Sequence, residues 1–443
     1  VIKLEAELTT KLVEKLIEDH NTDRYSKLRK YYQGRSDIVD RTMKDSEKPN
    51  NKLVNPYSSY IVDVMAGYFL GIPVAYSSGN DDLMAEIQEI FDVNEEQSHN
   101  TTLAHEMGIL GQACEILWAN EKAMPEFANV PMENIIAVYD TSIKPKLRFV
   151  IRPHEVKDLL NDKTHVYAEV YTSDSVIYYA GARSQDRNIK LELVEEVPHF
   201  FDEVPVVFYN NNDDLTGDFE KVVTLIDAYD KAQSDTANDF EYFADAYLAL
   251  IGLAGTDGDD IKAMKENRVL LLDEKGQAEW VVKTQEYLAT QEFKDRLKAD
   301  IHKFAMVPDL TDEKFGANLS GISLQYKLWG MEQAVSSKER NFTRALMRRI
   351  KLITNFLSYK GQNFDANEID IQFTRNVPAN LKEMAEVVQT LLGIVSKQTL
   401  LGLLPMIDNV AQEQGRIEAE SIDNVDLDQY LTENLLDGEG SDD

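Results

Sequence analysis

Asp218–Ile251 reads DFEKVVTLIDAYDKAQSDTANDFEYFADAYLALI, and its apolar residues recur at helical spacing. The stretch predicts one helix of ~34 residues, about 50 Å at 1.5 Å per residue. Projected at 100° per residue, Leu225, Ile226, Tyr229, Phe240, Phe243, Ala244 and Tyr247 fall on one half, and Asp227, Asp230, Asp235, Asp239, Glu241 and Asp245 on the other. One side packs and the other is strongly negative. On a lone monomer such a charge run is ordinarily a solvated face.

Outward from its C-terminal end, 252–284 has a turn-rich start and two strand-like runs, Arg268–Leu272 and Ala278–Val282, around Asp273, Glu274, Lys275 and Gly276. This predicts a β-hairpin joined to a helix on either side. Glu292–Met306 is helical, with Phe293, Leu297, Ile301 and Phe304 on one stripe and Lys294, Lys298 and His302 at four-residue spacing on another. Val307–Gly321 breaks the pattern with Pro308, Gly316, Asn318 and Gly321, a loop of ~15 residues that exceeds the usual helix connection. Loops of that length are usually functional or disordered. A second long helix, Ile322–Tyr359, carries Arg340, Arg344 and Arg348 in a ladder that reads first as salt bridges. Ile369–Arg375 is a strand, and shorter helices follow, to about Glu420.

In the other direction, 113–208 is a run of short alternating segments, a mostly antiparallel β section. Before it lie two helices within Glu5–Tyr32, a polar linker Arg35–Lys52, an apolar helix Pro56–Leu70 closed by Gly71 and Pro73, and two more helices at Asp82–Phe91 and Ser98–Gln112. The fold class is α+β, with helices dominating.

The 443 residues, 43% of them apolar, allow two or three domains. Cys114 is the single cysteine, which leaves no intrachain disulfide and no cysteine-based zinc site. Tyr60–Tyr76 is too short, and interrupted by Asp63, to cross a bilayer, and the first residues lack a secretory layout. A formal charge of −32 argues against tight DNA binding, which rests on Lys and Arg neutralising phosphates. A wall that DNA slides past has the opposite requirement, because strong phosphate contacts would brake it. No G-x-x-x-x-G-K-[ST] or H-E-x-x-H occurs, and Asp257, Asp259 and Asp260 lack the closing glutamate of a calcium loop. Neither an enzyme nor a cofactor is expected.

Asn50–Ser78 (NNKLVNPYSSYIVDVMAGYFLGIPVAYSS) resembles the opening core segment of the SPP1-type family of phage portal proteins. Ile109–Leu117, Val204–Asn212, Gly217–Asn238, Phe315–Leu328 and Ser396–Pro405 resemble successive segments of that family in the same order. The resemblance implies a portal fold with a β-rich wing (1–217), a stem helix (218–251), a clip (252–288), a second stem helix (289–306), a tunnel loop (307–321), a long wing helix and strand (322–374), a crown (375–420) and an acidic, disordered tail (421–443). It also implies a ring of about twelve copies at one capsid vertex of the virion, assembled in the host cytoplasm. Double-stranded DNA would pass through it, and a terminase large subunit, a head-completion adaptor, and major capsid and scaffolding proteins would be its partners, with no membrane involved.

On this reading the acidic half of 218–251 lines the lumen or meets the next subunit, and Lys294, Lys298 and His302 face the lumen. Lys314 and Asn318 touch the DNA backbone transiently while Asp309, Asp312 and Glu313 keep the contact weak. Asp273, Glu274, Lys275 and Gly276 meet the terminase or adaptor. The rival reading is an acidic capsid-associated adaptor that never conducts DNA.

Overall fold

Thirteen strands are described: β1 (Ile2–Lys3), β2 (Ala75–Ser78), β3 (Gln112–Ala119), β4 (Pro125–Val130), β5 (Ile136–Tyr139), β6 (Leu147–Asp158), β7 (Lys163–Tyr171), β8 (Ser175–Arg183), β9 (Ile189–Pro198), β10 (Val206–Asn210), β11 (Tyr247–Ile251), β12 (Gln277–Val281) and β13 (Ile369–Gln372). The computed structural model describes residues 2–45, 48–158, 163–183, 189–243, 247–251, 258–259, 262, 277–281, 287–311, 321–376, 381–404, 407, 410 and 412–419. The chain divides into two compact units, one formed by 1–29, 60–220 and 306–443, the other by 30–59 and 221–305.

In the first unit a six-stranded sheet has the order β1-β5-β6-β7-β8-β9, antiparallel except where β1 joins β5. Alternation along the strands turns Ile136, Val138, Phe149, Ile151, Val166, Ala168, Val170, Ile189 and Leu191 to one face. The helix Thr10–Glu18, capped by the Thr9 hydroxyl, buries Val13, Leu16 and Ile17 against that face. Each such side chain contributes about 1.5–3 kcal/mol. A three-stranded sheet, β10-β3-β4, packs beneath the 39-residue helix Gly321–Tyr359. Phe342 meets Tyr209 at a tilt and Phe69 edge-on at this junction, with ring centroids 4.9 and 5.4 Å away. The helix Glu96–Leu110 ends at Gly111, whose φ of 86° lets the chain turn straight into β3; a Cβ there would lie 2.1 Å from the Leu215 carbonyl.

The second unit pairs two helices, Val223–Phe243 and Tyr287–Ala305, with β11 and β12 antiparallel between them in sequence. The predicted 34-residue helix therefore stops at Phe243, and Tyr247–Ile251 (YLALI) is a strand. A short apolar run fits either state by periodicity, and its pairing with Gln277–Val281 decides it. The Ala278–Val282 strand is present, but its partner is Tyr247–Ile251; Arg268–Leu272 lies outside the described residues. In the first unit every strand expected between 113 and 208 is found, with β1, β2 and β4 in addition. The strand expected at Ile369–Arg375 is β13, paired with β2.

Candidate functional site

The acidic helix Val223–Phe243 is covered by the segment that the sequence suggested as a polar linker. Tyr31 Oη donates to Asp227 at 2.7 Å, Ser36 Oγ to Asp230 at 2.5 Å, Arg41 Nη1 to Asp235 at 2.7 Å and Asn51 Nδ2 to Glu241 at 2.7 Å. The chain then doubles back, the Leu53 amide donating to Ser234 Oγ at 2.9 Å and the Asn55 amide and side chain both to Asp230 at 2.8 Å. Residues 31–55 are thus a strap laid up and down one side of the helix. Asp230 is 0% exposed and satisfied by three donors, so it belongs to no lumen or ring surface. Asp227, Asp235 and Glu241 are engaged within the same unit. Asp239 is partly exposed, and Asp245 lies outside the described residues.

On the return helix, Tyr287–Ala305, the first residue of the basic stripe is likewise turned inward. Lys294 is 7% exposed, its stem packed between the helices and its ammonium 3.3 Å from Gln233 Oε1. His302 stands edge-on to Tyr57 at 5.9 Å, and Tyr57 edge-on to Tyr229 at 5.2 Å. Lys298 and His302 are both partly exposed. The burial of Lys294 corrects the expectation that it faces a lumen. Of the predicted apolar stripe, Leu297 and Ile301 are buried while Phe293 and Phe304 are both half exposed.

In the first unit, the loop after the return helix begins with Met306 in the left-handed region at φ 59° and with Val307 buried. Tyr60 Oη pins it, donating to the Pro308 carbonyl and accepting the Leu310 amide, each at 3.0 Å. Asp309 Oδ1 accepts from the Thr311 amide at 3.1 Å and hydroxyl at 2.6 Å, so this carboxylate shapes the turn at the base of the loop. Asp312, Glu313, Lys314 and Asn318 lie outside the described residues, as do Asp273, Glu274, Lys275 and Gly276.

The arginine ladder divides. Arg348 binds Glu203 at 2.8 Å and the Val204 and Val206 carbonyls, as a salt-bridge reading requires. Arg340 reaches only the Ser336 carbonyl of its own helix, and Arg344 is exposed. The residue that matters more was not singled out. Arg349, 0% exposed, binds Glu115 through Nε at 3.0 Å and Nη2 at 2.5 Å, and Glu96 and Asn100 through Nη1 at 3.0 and 2.9 Å, with its plane 4.5 Å from the Phe127 ring. His99 Nε2 meets Glu115 at 2.7 Å. Burial pushes both carboxyls up. At Glu115 the Arg349 charge and the contacts with Arg349 and His99 outweigh it and hold the group below the usual range, whereas Glu96, with one arginine contact and a carboxylate neighbour, stays above it. Burial also lifts the Tyr76 and Tyr209 phenols far above their ordinary values. Two adjacent arginines, Arg348 and Arg349, were the available signal, but sequence does not say which one turns inward.

Among the described residues no group of three or more His, Cys, Asp or Glu is placed to hold a metal ion, and no helix is long and apolar enough to cross a membrane.

The chain matches the family model described as phage portal protein, SPP1 Gp6-like, over residues 13–426. The portal protein of Bacillus phage SPP1 is 24% identical over 469 aligned residues, covering 99% of this chain and 91% of that relative. The portal protein of Clostridium phage phiCD119 is 25% identical, covering 88% and 92%. A solved chain described as the neck of an empty GTA particle covers 87% of this chain and 94% of its own length, with a TM-score of 0.48 and 12% identity.

Proposed function

Because the chain belongs to the SPP1 Gp6-like family of phage portal proteins, we propose that it forms the ring at one capsid vertex through which double-stranded DNA enters and leaves. The observation that carries this reading is the span of the family match, from residue 13 to residue 426. In the ring, 1–217 and 322–374 serve as wing, Val223–Phe243 and Tyr287–Ala305 as stem, the chain between them as clip, 307–321 as tunnel loop and 375–420 as crown. The clip, through Asp273–Gly276, offers the docking point for a terminase large subunit and later a head-completion adaptor, and the wing meets capsid and scaffolding proteins.

A net charge of −32 per subunit suits a passage that must not hold its cargo. Lys314 and Asn318 brush the phosphates while Asp312 and Glu313 keep the contact weak. Lys298 and His302 are the stem residues that remain candidates for the lumen. With Asp230 buried beneath the strap and Lys294 between the two helices, the stem acts as a braced strut.

The test is single-particle electron microscopy with mass measurement on the purified chain. A closed ring with a hole more than ~20 Å across, wide enough for duplex DNA, is expected. A persistent compact monomer in the presence of scaffolding protein would sink the channel reading. Lys314→Ala should then change packaging or DNA retention; no change removes the proposed phosphate contact while leaving the channel intact.

A further inference from the structure

Strand β9 is the free edge of the six-stranded sheet, and only half of that edge is guarded. Glu18 accepts the outward amide of Ile189 at 2.7 Å and Glu14 that of Leu191 at 2.8 Å, two helix side chains standing in for a neighbouring strand. Beyond Leu191 the helix runs back only to its first residue, Thr10, one turn before Glu14, and no described helix side chain accepts a further β9 amide. The register against β8 shifts where Tyr178 meets Glu195 and Tyr179 meets Leu193, so Val194 is the extra, bulged residue. Alternation then points the amides of Leu193 and, past the bulge, Glu196 away from the sheet, and no described residue accepts either. Every residue from Glu192 to Pro198 is exposed, and Leu193 (59%), Val194 (60%) and Val197 (43%) are apolar. An open, apolar edge is a template for another strand.

Its chemistry narrows the occupant. Glu192, Glu195 and Glu196 are interspersed with the apolar residues, and Glu196 accepts the Ser175 hydroxyl at 2.6 Å. Pairing with the same edge of a second copy would set glutamates against glutamates, on a chain already at −32. Val197 also forms one wall of a cleft of about 540 Å³ between the two sheets, with Tyr178, Val176, Trp118 and Phe200. That cleft lies at the end of the open edge and takes an apolar side chain from whatever continues along it.

We propose that Leu193–Val197 is a docking edge for an extended segment of another protein in which basic and apolar residues alternate, added to β9 as a seventh strand. The inference is independent of the DNA channel. Backbone pairing supplies the amide contacts, the lysine or arginine side chains meet the glutamates, and the cleft fixes the register.

The experiment uses the full chain and two fluorescein-labelled seven-residue probes, one alternating valine with lysine and one alternating valine with glutamate, read by fluorescence anisotropy. The lysine probe should bind at least tenfold more tightly, and hydrogen exchange should slow at the Leu193 and Glu196 amides. Glu192→Lys/Glu195→Lys should reverse the preference. Leu193→Pro, which removes an outward amide that an edge position can spare, should weaken the lysine probe about tenfold with an unchanged thermal melt. Binding that ignores both variants, or protection elsewhere, overturns the proposal. So does slowed exchange at the same amides on raising protein concentration without probe, which would make the edge a contact between copies. Failure of both probes, with aggregation when the glutamates are neutralised, would identify those side chains as guards against pairing and equally overturn it.

Discussion

Arg349 and its two carboxylates set up a comparison that a single substitution could not. Glu115 is held ionised against complete burial, so Glu115→Gln strips the guanidinium of its two-nitrogen partner and leaves a buried charge short of compensation. The expected cost is about 3–5 kcal/mol, read as a shift in the urea midpoint at constant slope. Glu96 is pushed the other way, towards its neutral form, and Glu96→Gln keeps the shape and an acceptor; its cost at pH 7 should be under about 1 kcal/mol. Equal costs for the two would mean that the guanidinium treats the carboxylates alike, against the geometry. The pH dependence follows with opposite signs. The depressed folded value of Glu115 contributes stability that is fully present above its ordinary value of 4.5 and is lost as pH falls through the lower folded value. The raised value of Glu96 is a penalty at neutral pH that lifts as pH drops through it. Wild type should therefore lose stability below about pH 4.5 more steeply than Glu115→Gln does, because the variant has already lost that group. Parallel acid profiles for the two proteins would remove Glu115 from the account.

At the scale of elements, the strap and the acidic helix form one structure, and they separate what sequence could reveal from what it could not. Helix periodicity, strand alternation and the turn residues located nearly every element, because these signals are local. The inward or outward sense of a charged residue is not local. Asp227, Asp230, Asp235 and Glu241 share a helical face whether water or a strap covers it; of the strap's donors, Ser36, Arg41 and Asn51 fall in what reads as a polar linker, Tyr31 near the end of an expected helix and Asn55 just before the next. The same limit put Lys294 in a lumen when its stem is packed between the two helices. Strap attachment predicts a graded response. Asp230→Ala orphans the Asn55 amide and the Ser36 hydroxyl and should cost about 2–4 kcal/mol, with hydrogen exchange at Leu53 and Asn55 accelerating first. Asp235→Asn, at a half-exposed carboxylate, should cost under about 1 kcal/mol. If exchange at Leu53 and Asn55 stays slow in Asp230→Ala, the strap is held by packing and the carboxylate is incidental.

For the whole molecule, the residues that brace the helix pair would, in the proposed ring, also bear on how copies meet. A ring built from one surface meeting a different surface of the next copy can use complementary charge to set its angle. In this chain the strap's donors hold Asp227, Asp230, Asp235 and Glu241 in place, only Asp235 through a cation, while the net −32 makes two copies repel on average. Closure must then rest on apolar contact, and the half-exposed Phe293 and Phe304 of the return helix are available for it. Salt separates the alternatives. Repulsion between whole subunits acts over a Debye length of about 30 Å at 0.01 M salt and about 10 Å at 0.1 M. Mass photometry at fixed protein concentration should therefore show rings gaining over monomers as salt rises from 10 to 200 mM, and Phe293→Ser/Phe304→Ser should reduce the ring fraction at the higher salt without lowering monomer stability. Rings that instead dissociate over this range would place the closing force in charge pairs between neighbours, and the search for them would move to the exposed charges outside the strap, beginning with Arg296 on the same helix and Arg344 on the long helix.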